Sequence, residues 1–464
     1  MALDMGHWQE RLDKLAAAHR VPGAVLGLLQ DGAVTAMATG SLNVETEVAA
    51  TPDAVFQIGS ITKSYTATMV MQLVDEGRVD LDAPVVSLLP ELKLADDDAA
   101  AQVTTRHLLC HTSGIEGDHF KDTGRGDDAL ERYVASCARV GFSHPVGATM
   151  SYCNTGYNIA GRLVEKLDGR SWDASLHARI VEPLGLSRTV TLPEEALRFR
   201  TAYGHVVEKD TAPKLAPRWM LPRSCGPAGL ITASAADLLE FARLHLDGGR
   251  SGEEQVLSTS GVAAMQSPQV ELPDRWTLGS HWGLGWILYD WGGRRVIGHD
   301  GATIGQAAFL RIVPDSSVAV CLLTNGGHAE DLYRELFPEL MEALCGIDMP
   351  PPLTPPSSSP RVDAARHAGV YERLGVRLEL AEHDGGLSGR IIPSGELAEI
   401  GDDDPAKELE IVAVSDDVFL ARIDDTGVTW TPAVFYRLAD GSPYLHLGGR
   451  ATPKVRDTAP ATDA

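Results

Sequence analysis

The chain has 464 residues, a hydrophobic fraction of 44% and a formal charge of -24 at pH 7. This length exceeds one ordinary domain, so we expect one large domain and one small one. Nucleic acids and anionic membranes both require clustered Lys and Arg, so a chain this acidic is not expected to bind either.

The start of the chain is charged and lacks the apolar core of a secretory signal, and no later segment resembles a membrane helix. We therefore expect a cytoplasmic protein. The cysteines are scattered and form no C-x-x-C pair, so we expect free core thiols rather than disulfides or a metal site. They are Cys110, Cys137, Cys153, Cys225, Cys321 and Cys345.

The chain opens with a predicted helix and two paired strands. Trp8, Leu12 and Leu15 recur at helical spacing, and the Pro-Gly pair at 22–23 ends that helix. Two apolar runs flank the Asp-Gly pair at 31–32, which is typical of a tight hairpin turn.

A buried helix is predicted next, from Ser60 to about Glu76, because the sequence there is apolar on most faces. Helical segments continue to about Leu246. Strand-like runs then return as RRVIGH, AAFLRIVP and SVAVCLLTN, followed by another helical stretch. Strands at both ends and helices between them predict an α/β domain with an inserted helical subdomain over residues 1–346.

The composition changes after this domain. Residues 347–362 are rich in Pro and Ser and predict an extended linker. Short alternating runs separated by Asp and Gly follow over 363–456, and they predict a small antiparallel β-barrel or sandwich. Residues 457–464 are expected to form a disordered tail.

The first chemical motif is S-x-x-K, formed by Ser60 and Lys63 in FQIGSITKS. On a helix that begins at Ser60 the two side chains lie on one face, so the amine can reach the hydroxyl. A buried Lys loses its proton more readily, and the neutral amine can then take the Ser proton. Ser and Lys also occur at this spacing by chance on solvated helix faces, so the motif needs support from elsewhere.

The second motif is SYCN at 151–154. A Tyr hydroxyl beside a Lys can exist partly as phenolate, so Tyr152 is a candidate to relay a proton to the leaving group. Asn154 would orient Lys63 or the substrate amide. The alternative for Tyr152 is a core ring whose hydroxyl meets a backbone group.

The third motif is GHDG at 298–301. Its small residues would let a strand backbone approach a ligand, and His299 would point into the cleft as a hydrogen-bond donor or an aid to proton transfer. A histidine in a Gly-rich turn is usually only a turn residue. The order and spacing of the three motifs favour the functional interpretation.

The set S-x-x-K, Y-x-N and H-x-G resembles the class C β-lactamase and D-peptidase branch of the serine penicillin-recognising enzymes. TTRHLLCHTSGIEG at 104–117 and HWGLGWIL at 281–288 are similar to the same branch, and the resemblance covers about residues 8–346. It implies a β-lactamase/transpeptidase-like α/β fold and covalent catalysis without metal or other cofactor. His107 and His111, at helical spacing, are structural by their position in the family.

The resemblance also implies roles for single residues. Ser60 would be the nucleophile, Lys63 the base, Tyr152 the acid/base partner and Asn154 a binder of the substrate amide.

The oxyanion hole would be formed by the N–H groups of Ser60 and Ala302, the latter directly after Gly301. A Lys often begins the third motif in this family, whereas this chain has His299, as in esterase and D-peptidase members. This difference argues against efficient β-lactam hydrolysis.

The two-domain layout is similar to that of penicillin-binding-protein-type thioesterases, which release nonribosomal peptides from a carrier-protein thioester and close them head to tail. They join the catalytic domain to a lipocalin-like β domain, from which an Arg holds the terminal carboxylate of the peptide. Arg450 in LHLGGRATPK is the candidate here, because a guanidinium binds a carboxylate through two hydrogen bonds. An exposed Arg at a strand end is the alternative.

The resemblance therefore favours a peptide cyclase that acts on a peptidyl thioester of a carrier protein or on a small-molecule mimic. A cytoplasmic D-stereospecific peptidase or carboxylesterase of the same fold is the alternative. A β-lactamase or a binding protein that has lost the chemistry is less favoured. The sequence does not predict the oligomeric state.

Overall fold

The computed structural model describes residues 4–207, 211–395, 406–423 and 429–457. Over these ranges the strands before residue 347 are β1 (Gly23–Gln30), β2 (Ala33–Asn43), β3 (Val48–Ala49), β4 (Val55–Gln57), β5 (Thr189–Val190), β6 (His205–Val206), β7 (Lys214–Leu215), β8 (Thr232–Ser234), β9 (Arg250–Ser251), β10 (Glu254–Gln255), β11 (Val270–Glu271), β12 (His281–Trp282), β13 (Ile287–Trp291), β14 (Arg294–Ala302), β15 (Ala307–Val313) and β16 (Val318–Thr324). The α-helices are α1 (Met5–Ala18), α2 (Thr62–Asp75), α3 (Asp97–Ala100), α4 (Thr105–Leu109), α5 (Ala129–Ser136), α6 (Asn154–Asp168), α7 (Trp172–Leu176), α8 (Pro193–Ala196), α9 (Gly226–Gly229), α10 (Ala235–Leu246), α11 (Thr259–Met265) and α12 (Ala329–Cys345). The later strands are β17 (Gly369–Arg373), β18 (Val376–His383), β19 (Gly386–Pro393), β20 (Lys407–Ala413), β21 (Val418–Ile423), β22 (Thr431–Arg437), β23 (Pro443–Leu447) and β24 (Arg450–Arg456).

The N-terminal helix and hairpin form where the sequence predicts them. Asp4 caps α1 by accepting hydrogen bonds from backbone N–H groups of the first turn. Asp31 and Gly32 both have positive φ, 51° and 75°. A two-residue turn of this kind matches the right-handed twist of its strands, so β1 and β2 pair as a tight hairpin.

The central sheet joins the two ends of the α/β domain. In the described residues its order is β11-β12-β13-β14-β15-β16-β1-β2-β3. The early strand β1 pairs with the late strand β16, for example Leu26 with Leu322. Helices α1 and α12 pack together against the sheet, and α10 packs on β1 and β16. The chain between β3 and β11 supplies the inserted helical region, as predicted.

Helix α2 lies inside this region. Twelve of its 14 residues are buried, which explains why its sequence is apolar on most faces. The predicted start at Ser60 is slightly early: Ser60 lies in a 3-10 turn, Gly59–Ile61, and the α-helix begins at Thr62. The turn leaves Ser60 only partly buried, at the end of an otherwise enclosed helix.

The C-terminal domain is a closed antiparallel barrel with the order β17 to β24 among its described strands. This arrangement confirms the expected antiparallel domain and shows a barrel rather than a sandwich. Its core is separate from that of the α/β domain and is built around residues such as Phe419, Phe435 and Leu445. The alternating runs of the sequence correspond to β18–β23, whereas β17 and β24 carry no clear alternating run.

The segment between the domains, 346–363, contains no helix or strand. Its first part still packs on the larger domain, since Ile347 belongs to the core of that domain. Of the predicted tail 457–464, residues 458–464 lie outside the described residues. No cysteine of the described chain is in a disulfide, and only Cys345 is not buried. No helix in the described ranges is both long and apolar enough to cross a bilayer.

Candidate active site

Ser60 and Lys63 are in contact at the start of α2. Lys63 Nζ lies 3.0 Å from Ser60 Oγ and 2.6 Å from the carbonyl oxygen of Ala228. Burial, and then the positive charge of Arg450, hold the pKa of Lys63 well below its usual range. A lowered pKa makes the neutral amine available, and this is the form that can accept the Ser60 proton.

Tyr152 completes this group. Its ring centre lies 4.8 Å from Lys63 Nζ, and it lines the same cleft as Ser60. Burial raises the pKa of Tyr152, and the neighbouring Ser60 hydroxyl and the charge of Arg450 offset only part of that increase. The prediction of a partial phenolate is therefore wrong for the free enzyme, in which the phenol is neutral and can donate a proton.

Two glycines bring the third motif against the turn that carries Ser60. Gly59 has a φ of 51°, and a Cβ atom there would lie 2.6 Å from the backbone nitrogen of Ala302. A Cβ atom on Gly301 would lie 2.9 Å from the backbone nitrogen of Ser60. Only glycine allows this approach, which places the backbone nitrogens of Ser60 and Ala302 at one end of the cleft, as an oxyanion hole requires.

His299 lines the same cleft. Its Nδ1 lies 2.7 Å from the carbonyl oxygen of Asp300, and since a carbonyl only accepts, Nδ1 carries the hydrogen. Burial and, next, the charge of Lys63 lower the pKa of His299 to about 3, so the ring is neutral at neutral pH. Nε2 then has a free lone pair, and it is buried without a hydrogen-bond partner among the described residues. The predicted donor role is thus corrected: Nε2 can only accept a hydrogen bond.

The carboxylate of Asp300, next to His299, is bound by an arginine that lies in the protein interior. Arg311 is 2% exposed, and its Nη1 and Nη2 lie 2.5 and 3.1 Å from the Asp300 carboxylate. The guanidinium also lies 4.6 and 4.9 Å from the ring centres of Tyr289 and Tyr333. This ion pair, with a buried guanidinium and a partly exposed carboxylate, joins β14 to β15 beside His299.

Asn154 binds a carboxylate. Its Nδ2 donates to Asp118 Oδ1 at 3.1 Å, and no hydrogen bond joins it to Lys63 in the described structure. A carboxylate only accepts, so the amide nitrogen must face Asp118. The expectation that Asn154 orients Lys63 is therefore wrong, and its carbonyl oxygen is the group left for a substrate N–H.

Asp118 connects this motif to the barrel. Arg450 Nε and Nη2 lie 3.2 and 2.9 Å from its carboxylate oxygens, and Arg373 Nη1 lies 2.7 Å away. Burial would raise the pKa of Asp118, but the charges of Arg450 and Arg373 outweigh it and lower that pKa to about 2. The carboxylate is therefore ionised and holds both guanidinium groups at the domain interface.

Arg450 thus reaches the site, as predicted. It is the first residue of β24, but it is not exposed as the alternative supposed. Its guanidinium carbon lies 4.7 Å from the ring centre of Tyr152, and 20% of its side chain is exposed. Three of its five N–H groups bond to Asp118 and to the carbonyl oxygen of Gly448. No hydrogen bond within the described residues occupies the other two N–H groups, so they can bind a ligand.

The sequence did not identify Asp118 or a contact role for His111. The ring of His111 stacks on that of Tyr152, with centres 4.3 Å apart. Asp118 follows the family-like stretch 104–117 by one residue, which is the one signal that points to it. Its Arg partners are 255 and 332 residues away, so no local pattern reveals them.

The cleft around these groups has a volume of about 460 Å³. Both domains line it, since Gly448 and Arg450 of the barrel are among its lining residues together with Ser60. Its walls are largely apolar and include Phe120, Leu221, Leu278, Ile287 and Phe309. No group of three or more His, Cys, Asp or Glu side chains in the described ranges is arranged to hold a metal ion. An apolar, partly enclosed cleft with a serine, a buried amine and a phenol suits acyl transfer to and from Ser60.

This fold and this site define a serine hydrolase of the β-lactamase/transpeptidase fold. Residues 8–344 match the family model described as Beta-lactamase, and the chain belongs to that family. The resemblance to penicillin-recognising serine enzymes that the three motifs indicated is confirmed.

Three known proteins illustrate the relationship. Penicillin-binding protein 4 of Amycolatopsis lactamdurans is 50% identical over 378 residues, 81% of this chain and 99% of that protein. The crystal structure of SurE superposes with a TM-score of 0.78 at 30% identity and covers 97% of this chain and 99% of its own. D-amino acid amidase from Ochrobactrum anthropi SV3 gives a TM-score of 0.61 at 24% identity and covers 73% of this chain and 97% of its own.

Proposed function

We propose that this protein is a thioesterase of the penicillin-binding-protein type that releases a peptidyl thioester and closes the peptide head to tail. The observation that carries the proposal is that the barrel forms part of the cleft, through Gly448 and Arg450. The likeness to SurE, a thioesterase of this type, extends over both domains, with 97% of the chain covered. The likeness to the amidase covers 73%.

In the acylation step, the Ser60 oxygen attacks the thioester carbonyl while the Lys63 amine takes the Ser60 proton. The N–H groups of Ser60 and Ala302 stabilise the negative oxygen of the tetrahedral intermediate. The C–S bond then breaks, and the thiolate takes a proton from Tyr152, which recovers it from Lys63. The products are a Ser60 ester and a free thiol.

In the release step, the amino group at the start of the peptide attacks the Ser60 ester. His299 Nε2 accepts a hydrogen bond from this amine, because it is the bare nitrogen of a neutral ring. The amine gives one proton to the Tyr152 oxygen as Tyr152 passes its own proton to the neutral Lys63 amine, and the Ser60 oxygen takes that proton back as it leaves. The apolar walls of the cleft favour an amine over water as the acceptor.

A second candidate is a D-stereospecific peptidase, and the free N–H groups of Arg450 favour it. During ring closure the terminal carbonyl is already esterified to Ser60, so it is no longer a carboxylate. A free carboxylate reaches Arg450 when a terminal residue leaves by peptide cleavage or enters as the acceptor. SurE has been crystallised with D-Leu, and the amidase acts on D-amino acid substrates by its name.

Product analysis separates the two candidates. The protein is incubated with a peptide of about ten residues ending in a D-residue, as its N-acetylcysteamine thioester, and the products are identified by mass spectrometry. The thioesterase predicts a macrocycle from the peptide with a free amine and only acid from its N-acetylated control. Acid from both, with rapid release of a terminal D-residue from the corresponding free peptide, would instead establish the peptidase.

Acylation by penicillin is a separate outcome, because the relative at 50% identity carries the name of a penicillin-binding protein. Intact-mass measurement after incubation with benzylpenicillin detects a Ser60 adduct. A stable adduct without a macrocycle would contradict the cyclase proposal and support a penicillin-sensitive peptidase.

A further inference from the structure

The backbone around Tyr152 is held from two opposite sides. Cys153 has an extended backbone conformation, and the N–H groups of Ser151 and Cys153 bond to a different residue from that of Tyr152. The N–H groups of Ser151 and Cys153 donate to the carbonyl oxygen and Nδ1 of His111, both at 2.9 Å. The N–H group of Tyr152 donates to the carbonyl oxygen of Gly449, at 2.8 Å.

The second side is therefore supplied by the barrel. Gly449 lies in the turn between β23 and β24. Two further contacts come from Arg450 and Ala451, which continue this turn as the first residues of β24. The N–H group of Ala451 donates to Ser151 Oγ at 3.1 Å, and the Arg450 guanidinium lies over the Tyr152 ring. His111 contributes the opposite support, since its ring stacks on that of Tyr152.

We propose that the turn 448–451 of the barrel is a positioning element for proton transfer by Tyr152, with the Gly449 carbonyl as its main contact. The α/β domain holds one side of the Tyr152 backbone, and the barrel holds the other. The barrel then contributes to the chemical step itself, independently of any contact with substrate. This inference rests on the proposed role of Tyr152 as the group that protonates the leaving group.

Gly449 allows a direct test because a side chain added there would contact only a few identified atoms. Its φ is 76°, and an added Cβ atom would lie 2.7 Å from Leu278 Cδ1 and 3.7 Å from Tyr152 Cβ. An alanine at 449 therefore meets the flexible end of Leu278, beside Tyr152, and the contact between the turn and Tyr152 must adjust to it. Gly441→Ala is the matched control: Gly441 lies in the next barrel turn with a φ of 87°, and nothing lies within 4 Å of an added Cβ atom. Both variants carry the same backbone strain.

The experiment compares acylation rate constants for two esters of one acyl group, an alkyl ester and a p-nitrophenyl ester. An alkoxide must be protonated as it leaves, whereas p-nitrophenolate leaves without a proton. We expect Gly449→Ala to slow the alkyl ester about 10- to 100-fold, since small misplacements of reacting groups have effects of this size. The p-nitrophenyl ester is expected to change less than about threefold, as are both esters with Gly441→Ala. Tyr152→Phe is expected to show the same dependence on the leaving group.

Ser151 provides a second test that does not depend on the folding of the Gly449 variant. Ser151→Ala removes the acceptor of the Ala451 N–H group, whereas Ser151→Thr retains the hydroxyl. We expect the alanine variant to slow the alkyl ester selectively and the threonine variant to restore the rate.

Three results would overturn the inference. Equal slowing of both esters by Gly449→Ala would indicate a general structural role. A strong dependence on the leaving group in Tyr152→Phe with none in Gly449→Ala or Ser151→Ala would show that the turn does not position Tyr152. If Tyr152→Phe itself shows no such dependence, the role proposed for Tyr152 fails and the inference fails with it.

Discussion

The first and second motifs of the site are built in different ways. Ser60 and Lys63 are three residues apart, and the local geometry of one helix start brings them together. Tyr152 and Asn154 instead depend on contacts with His111 and Asp118, and on a barrel turn almost 300 residues later in the sequence. A spacing rule can therefore find the nucleophile and its base, whereas the support of the acid/base tyrosine appears only in three dimensions.

The same difference predicts how the two motifs respond to mutation. A change at the partly exposed Ser60 removes a reacting atom and is expected to leave the fold intact. A change in the support of the second motif alters the way in which two domains meet. Mutations in the two regions should therefore differ in kind, with loss of chemistry in one and loss of docking or positioning in the other.

The largest effect is expected for Ser60→Ala, which removes the nucleophile. Turnover should fall by about 10⁴-fold or more, and no covalent adduct should form with any acyl donor. Intact-mass spectrometry and product assays measure both effects. Ser87→Ala is the control, because Ser87 is exposed and bonds only locally to the carbonyl oxygen of Pro84. Turnover by the Ser60 variant at the parent rate would eliminate covalent catalysis.

Asp118→Asn should have the largest effect on the second region. The neutral side chain leaves Arg373 and Arg450 without their carboxylate at a buried interface, and breaking such a pair typically costs about 3 to 5 kcal/mol. Chemical denaturation measures the loss. Asp127→Asn is the control, since the Asp127 side chain is 83% exposed beside Arg223, and its loss should be within about 0.5 kcal/mol. Equal losses would show that the interface does not depend on this carboxylate.

The stability of the unsubstituted protein should also depend on pH through the Asp118 carboxylate. The pKa of Asp118 is lowered from 3.8 to about 2 in the folded protein. Its stabilisation is therefore complete above the unfolded value and is lost as the pH falls toward about 2. The difference in stability between the parent and Asp118→Asn should accordingly shrink only in this acid range.

A smaller loss of activity is expected for Arg450→Gln. This variant tests both motifs, because Arg450 influences Lys63 of the first motif and contacts Tyr152 of the second. The positive charge of Arg450 helps to lower the pKa of Lys63. Without that charge the pKa of Lys63 rises, so the acid limb of the acylation profile should move to higher pH, even for a neutral ester. A substrate or acceptor with a free carboxylate should in addition lose about 10- to 100-fold in kcat/KM.

The control for this variant is Arg437→Gln, an exposed residue of the barrel whose Nη1 bonds to the carbonyl oxygen of Gly441. It should leave the profile unchanged. An acid limb that stays in place in Arg450→Gln would show that Arg450 does not influence Lys63. A loss that is equal for neutral and charged substrates would count against a carboxylate contact.

Much of the architecture could be predicted because it is encoded locally. The Asp31-Gly32 turn, the buried helix after Ser60 and the alternating runs of the barrel each follow from a short pattern. Strand β24 could not be predicted in this way, since RATPKVR contains a proline and few apolar residues. It is a strand because closure of the barrel pairs it with β17 and β23.

In the active site, too, the features encoded by a short sequence pattern could be predicted and those that depend on long-range contacts could not. The positions of Ser60, Lys63, Tyr152 and His299 could be proposed from motifs in the sequence. The protonation state of Tyr152 and the free nitrogen of His299 could not, because burial and a carbonyl contact determine them. Asp118 was missed because its function depends on side chains from the far end of the chain.

Because the barrel is closed, one of its turns can change in length without altering the others. Every strand is paired on both sides, so a longer hairpin at one tip cannot shift the register of the turn at another. The tip at Asp384 and Gly385 is exposed, with the Asp384 side chain 93% accessible and open space around Gly385. A fluorescent label or an affinity tag inserted there would mark the barrel without touching the residues that line the cleft.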